Sequence, residues 1–165
     1  MWGGRFIVAK RRGRWEYVSR ARNIGAAVIL AIHEDHVILV DQYRVPLERR
    51  CIELPAGLIG DETAGEDGMI AATRELEEET GYRAGRLEPL GEYWSSPGMV
   101  SESFTLYRAH DLVKVGDGGG VEGEGIIVHR VPLDGFTDWL ADRRAEGYAA
   151  DVKLLLLLGG GMLSG

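Results

Sequence analysis

The residues best placed to do chemistry are the glutamates of Arg74-Glu75-Leu76-Glu77-Glu78-Glu79-Thr80-Gly81. At about 100° per residue, Glu75, Glu78 and Glu79 share roughly a third of a helix circumference. Glu75 and Glu79 form an i,i+4 pair of like charge, which costs a few tenths of a kcal/mol in an isolated helix. They also gather near the helix C-terminus, where the dipole disfavours negative charge. Arg83 lies past Gly81, so nothing basic follows within the helix to relieve them. One reading is a solvated acidic face. The other is a seat for a hard divalent cation with carboxylate ligands.

Spacing separates the two. The full string is Gly60-x5-Glu66-x7-Arg74-Glu75-Leu76-x-Glu78-Glu79-x-Gly81-Tyr82. At background frequencies, its seven fixed residues would coincide by chance on the order of once in 10⁸ to 10⁹ positions. A solvated face does not require such spacing. The string matches the box of the Nudix hydrolases at every fixed position, and the chain resembles that family. The resemblance implies cleavage of nucleoside diphosphates linked to another moiety. It implies an α/β (α+β) fold, an α/β/α sandwich with a mixed sheet in which a loop–helix–loop presents the box. It also implies Mg²⁺ or Mn²⁺, with Glu75 and Glu79 as principal ligands and Glu78 as a further, catalytic one. Gly60, Glu66, Arg74 and Gly81 are then structural.

The flanks refine the resemblance. Gln42-Tyr43-Arg44, Glu53-Leu54-Pro55-Ala56-Gly57 and Ser96-Pro97-Gly98 with Glu102 are similar to segments of the ADP-ribose pyrophosphatases, which cleave to AMP and ribose 5-phosphate. Arg44 would clamp the diphosphate through paired guanidinium hydrogen bonds, or be a surface arginine at a strand end. Glu53 would face the substrate pocket, or pair with Arg44 or Arg50. By the same resemblance, Ala56 gives a backbone carbonyl to a metal, and Glu102 reaches the ribose across a homodimer interface. Here Gly57 does not start the box and Gly60 does, so residues 58–65 carry an apparent three-residue insertion that bears on Ala56. Arg20 and Arg22 are either adenine contacts or surface charge.

Hydrolysis also needs a base to orient or deprotonate water. By resemblance this comes from the loop holding Glu122 and Glu124, with Glu122 as base and Glu124 as an additional metal ligand on closure. The alternative is two solvated glutamates in a floppy glycine-rich segment. Related substrates such as GDP-mannose or ADP-glucose stay open. So does a different class, a domain that binds a nucleotide sugar without cleaving it, although the box is complete.

The elements that must position these residues follow from composition and pattern. The 165 residues, 45% hydrophobic and 27% charged, suit one domain with a real core, 1–165, with the box at 60–82 and a short N-terminal strand region at 1–22. A net charge of −7 argues against nucleic acid as a partner. The single cysteine, Cys51, suits a reducing, cytoplasmic setting and reads as a packed residue, and no apolar run is long enough to span a membrane. Strands are predicted over 15–19, 24–32, 37–43, 51–54, 87–94, 103–108 and 126–131. A helix is predicted from Asp67 to Thr80, with Met69, Ala72 and Leu76 at helical spacing and Gly81 ending it. Asp134 is predicted to cap a helix carrying Phe136, Trp139 and Leu140, and a last helix spans 151–158. The segment 116–125 is predicted to be a mobile loop.

Overall fold

The computed structural model describes residues 1–21, 24–60 and 67–163. Strands β1 (Trp2–Gly3), β2 (Ile7–Arg12) and β3 (Trp15–Arg20) form a small antiparallel sheet. Only β3 is legible beforehand, because Lys10, Arg11 and Arg12 hide the alternation of β2. This sheet is tied to the body by Val18, whose N–H donates to Met99 and whose carbonyl accepts from Ser101, both at 2.9 Å.

The body runs β4 (Ala26–His33), β5 (His36–Arg44), β6 (Arg49–Glu53), β7 (Ala56–Leu58) and helix α1 (Gly68–Thr80). It continues with β8 (Tyr82–Arg83), β9 (Arg86–Trp94), β10 (Ser103–His110), β11 (Val113–Lys114) and β12 (Ile127–Pro132). Helix α2 (Phe136–Ala145), β13 (Ala149–Ala150), a 3-10 turn (Val152–Leu154) and α3 (Leu155–Leu163) complete it. The eight-stranded sheet has the order β13-β6-β5-β4-β10-β9, with β12 added to β5 and β7 to β4. It is mixed, since β4/β10 and β6/β13 are parallel and the other pairs antiparallel.

Alternation along β4 builds two cores. Ala27, Ile29 and Ala31 face α1, where Ala72 and Leu76 cover them together with Tyr107 and Ala109 of β10. Val28 points the other way, into a cluster with Leu39, Ile52, Leu106 and Val131 that Phe136, Leu140 and Leu154 close. The result is helix on both faces of a mixed sheet, the expected α/β/α arrangement. The connection between β4 and β5 is a tight hairpin in which Glu34 and Asp35 both take left-handed φ, 47° and 59°.

Helix α1 starts where expected: the Asp67 carboxylate accepts from the Met69 N–H at 2.8 Å. Gly81 ends it at φ 69°. Met69, however, is exposed, and Ala71 takes the buried position beside Ala72 and Leu76. The predicted Asp134 cap is also absent: Gly135, at φ 87°, holds the cap position of α2 without a side-chain bond.

One feature of the sheet makes room for a site. β4 pairs with β5 only next to the hairpin, at Ile32–Val37 and His33–His36. Further along, β7 takes the edge of β4 while β6 and β12 take β5. The two strands therefore part, and Pro55 bridges the gap by accepting the Ile29 N–H at 2.8 Å.

Candidate active site

The gap holds a cavity of about 610 Å³, in the size range of ligand pockets. Helix α1 delivers two carboxylates to it, Glu75 and Glu79. Glu79 is 8% exposed and accepts from the Ala56 N–H at 2.9 Å. Burial pushes its pKa up to about 8, and the charges of Glu75 and Glu124 push the same way. Glu75 is raised as well, chiefly by burial and further by Glu78 and Glu124, against the pull of Arg74. Its carboxylate lies over the bare backbone of Gly57. Ala56 meets the site through its N–H to Glu79.

Glu78 is not in the cavity. It stands on the exposed side of α1, where Arg74 Nη1 lies 3.0 Å from its Oε2 and 3.1 Å from Glu75 Oε1. Arg74 therefore bridges the two carboxylates. Glu66 and Arg22 lie outside the described residues. Gly60 follows β7 at φ 78°, a left-handed turn position that favours glycine.

The opposite wall carries cations, each held by an acid. Arg44 donates from Nε and Nη2 to the two oxygens of Glu53 at 2.6 and 2.7 Å, a forked pair that raises the arginine pKa further. Glu53 itself is 7% exposed, lines the cavity and pairs with Arg44. Arg20 donates to Glu102 at 2.5 Å, and both line the same cavity within one chain. Lys153 completes the wall, 2.8 Å from an Asp151 oxygen and with its ammonium 5.5 Å from the Phe104 ring centre. Asp151, Lys153 and Phe104 escaped sequence reasoning, because nothing in Asp-x-Lys before an apolar run marks a pocket. Cys51 also lines the cavity, but burial pushes its thiol up to about 12, so it is no nucleophile at neutral pH.

The glycine-rich segment departs from expectation. Its first half is packed, not mobile. Gly119 and Gly120 donate to the carbonyls of Glu79 and Glu78 at 2.8 and 3.0 Å. With Gly81 N–H on Glu77 and Lys114 Nζ on Thr80, all four orphan carbonyls at the end of α1 find donors. Gly118 must be glycine at this crossing: its φ is +71° and a Cβ would lie 2.4 Å from the Thr80 carbonyl carbon. Lys114, arriving from β11, also supplies the basic group that the helix lacks, and Arg83 pairs with Glu77 at 2.8 Å. The second half turns at 121–124, where Glu124 N–H meets the Val121 carbonyl at 3.2 Å. Glu124 lines the cavity; Glu122 is exposed on the turn and does not.

Comparison with known proteins bears on this arrangement. A family profile described as NUDIX domain matches residues 21–149. The chain is 38% identical over 125 residues to a methanol dehydrogenase activator of Bacillus methanolicus, covering 74% of this chain and 66% of that protein. It is 42% identical over 89 residues to an ADP-ribose pyrophosphatase of Bacillus subtilis, covering 53% of this chain and 46% of that one. The chain thus spans between about half and two thirds of these curated relatives. A solved structure described as an ADP compounds hydrolase superposes with a TM-score of 0.67 at 27% identity, over 96% of this chain and 92% of that one.

Proposed function

The chain belongs to the NUDIX domain family, and on that premise we propose that it hydrolyses the diphosphate of ADP-ribose or a related nucleoside diphosphate sugar, with Mg²⁺ or Mn²⁺, giving AMP and ribose 5-phosphate from ADP-ribose. The observation that carries this reading is the polarity of the cavity. Glu75, Glu79 and Glu124 gather at one end, where burial and the charge of Glu124 raise the pKa of both Glu75 and Glu79, and Arg44, Arg20 and Lys153 line the other. A diphosphate with an attached sugar needs both ends. The names of the Bacillus subtilis relative and of the superposed structure support the same substrate class.

The donor set suits a hard divalent cation. Carboxylate oxygens are the ligands such ions take, and a cation there would offset the burial and the neighbouring Glu75 and Glu124 charges that raise the pKa of Glu79. Among the described residues no three acidic, histidine or cysteine side chains are gathered to hold an ion as they stand. Glu75 and Glu79 would hold it, joined by Glu124, by Glu78 once released from Arg74, and by the Ala56 carbonyl. The cation would supply charge neutralisation at the phosphoryl oxygens and a more acidic water. Arg44 would exchange a Glu53 oxygen for a phosphate oxygen, retaining its forked geometry. Arg20 and Glu102 would bind sugar hydroxyls from within the same chain. Glu122 would act as base when the 121–124 turn carries it inward.

One domain with an appended N-terminal sheet is the organisation this reading uses. That sheet supports a homodimer. Residues 1–22 hold seven of the 19 basic residues and one acid, and they expose Trp2, Phe6 and Trp15. The remainder is acidic, so a second copy offers both apolar cover and opposite charge. None of the described helices is long and apolar enough to cross a membrane; the single Cys51 supports a cytoplasmic setting and the net charge of −7 supports partners other than nucleic acid. A panel of ADP-ribose, ADP-glucose, GDP-mannose, NADH and diadenosine polyphosphates with Mg²⁺ or EDTA, scored by products, tests the whole reading. Turnover in EDTA, or tight binding of ADP-ribose without turnover, would overturn it.

A further inference from the structure

Asp41 is fully buried on β5 and is met from two neighbouring strands. His129 Nε2 of β12 lies 2.6 Å from its Oδ2, and Arg50 Nε of β6 donates to its Oδ1. The guanidinium then does something more. Its Nη2 donates to the Asp41 carbonyl at 2.9 Å and to the carbonyl of Gly125 at 2.7 Å. Gly125 directly follows Glu124. A cation oriented by a buried carboxylate therefore grips the backbone at the C-terminal root of the glutamate turn.

The other root is gripped too, by Gly119 and Gly120 on the carbonyls at the end of α1. Between the roots, among the described residues, 121–124 bonds only to itself: Glu124 N–H to the Val121 carbonyl, and Val121 N–H to Glu124 Oε2 at 2.9 Å. Both roots are glycines in the left-handed region, Gly120 at φ 73° and Gly125 at φ 60°. The geometry points to Arg50 as a positioning residue that fixes the Gly125 hinge of the turn, holding Glu124 at the cavity beside Glu75 and Glu79 and setting the path by which Glu122 swings in. What those glutamates do there rests on the hydrolase reading; the grip on the hinge does not. A lysine at residue 50 keeps a cation for Asp41, but a single ammonium cannot span the carboxylate and the Gly125 carbonyl as a planar fork does.

The test is Arg50→Lys, read by backbone ¹⁵N order parameters and by steady-state kinetics on the nucleoside diphosphate sugar panel. Arg130→Gln, which removes only the surface pair with Glu34, is the control. The Gly125 amide is expected to be rigid in the wild type and to fall below about 0.6, the range of mobile backbone, in Arg50→Lys, with α1 and β5 unchanged. The kcat is expected to fall about 10–100-fold with KM within twofold, since a positioning loss acts on the reacting geometry. Arg50→Met should show the same loop signature more strongly, and its melting curve separates that from unfolding. An unchanged Gly125 order parameter in Arg50→Lys overturns the role, whatever the activity. A mobile Gly125 in a protein that cleaves nothing on the panel leaves the hinge standing and removes the hydrolase reading instead.

Discussion

Glu75 occupies the space that any side chain at residue 57 would need: a Cβ on Gly57 would lie 1.9 Å from the Glu75 carboxyl carbon and 2.1 Å from its Oε1. Gly57 is thus kept bare for the carboxylate and not for backbone freedom, since its φ lies outside the left-handed region. Gly57→Ala should turn Glu75 out of the cavity while leaving the strand pairing of β7 intact. A misplacement of about 1 Å at a reacting centre can cost on the order of 10²-fold. The expected result is a loss of that order in kcat and weaker Mn²⁺ binding, with a melting temperature close to wild type. Normal metal binding in the variant would show that Glu75 has another place to go.

Glu79 makes stability depend on pH in an unusual direction. Its pKa rises on folding from the ordinary 4.5 to about 8, mainly through burial. Below 4.5 the carboxyl is protonated in both folded and unfolded chains. Between 4.5 and about 8 the unfolded chain releases the proton while the folded chain keeps it, so folding weakens as pH rises through that window. In EDTA, the melting temperature should therefore contain a component that falls from about pH 5 to pH 8. Glu79→Gln should flatten it. Added Mg²⁺ should stabilise more at the upper end, because the ion displaces a proton there less often. Identical pH profiles for wild type and Glu79→Gln would mean the carboxyl is solvated in solution. In kinetics, the same substitution should cost at least ~10²-fold, the lower range for removing a catalytic electrostatic group.

Gly118 offers a test of the packed half of the glycine loop. Gly118→Ala brings a methyl group against the backbone of Thr80 and Glu79 at a positive φ. Strain at such a position costs at least ~1 kcal/mol, and more where the neighbour is backbone. Denaturant unfolding should show that loss, and the bonds from Gly119 and Gly120 to the helix end should loosen with it. Gly123→Ala, at φ 97° with nothing within 4 Å of the added atom, separates conformational strain from collision. Equal losses in the two variants would leave the helix-end packing without a role.

The sequence carries some of these elements in local signals and leaves others to partners distant along the chain. Helix α1 was legible to its ends, because Asp67 and Gly81 are local signals acting through one turn of backbone. The run at 24–32 gave β4 for the same reason, a buried strand being apolar on both faces. The alternation of β2 was masked by its basic residues, and β8, β11 and β13 are two-residue strands that owe their existence to partners distant in sequence. The box points to Glu75 and Glu79, which line one cavity, yet it does not reveal that Glu78 stands exposed beside Arg74. In the loop, glycine composition alone reads as conformational freedom. At Gly118 and Gly81 it is close approach, and only the position of the helix end reveals that. Asp151 and Lys153 bond to each other within one turn, but that local pair does not reveal the cavity it lines, and Arg50 acquires its meaning from Asp41 and Gly125 on other segments.

The two glutamates of the turn differ in where they stand. Glu124 is already in the cavity, its charge raising both Glu75 and Glu79. Its carboxylate also accepts from the Val121 N–H at 2.9 Å, which holds the turn in shape. Glu122 stands outside on the same turn, so it can reach a water over the phosphates only after the turn moves inward. Glu124→Gln should accordingly raise the Mg²⁺ concentration needed for half-maximal rate, because a ligand charge is lost. Glu122→Gln should leave that concentration alone and lower kcat by roughly 10²–10⁴-fold, the range for a general base, with KM changed little. The acidic limb of its pH–rate profile should also disappear, since that limb reports the protonation of the base. If the large kcat loss falls on Glu124 and Glu122→Gln is near normal, the turn need not move at all, and the base is the carboxylate that already faces the box helix.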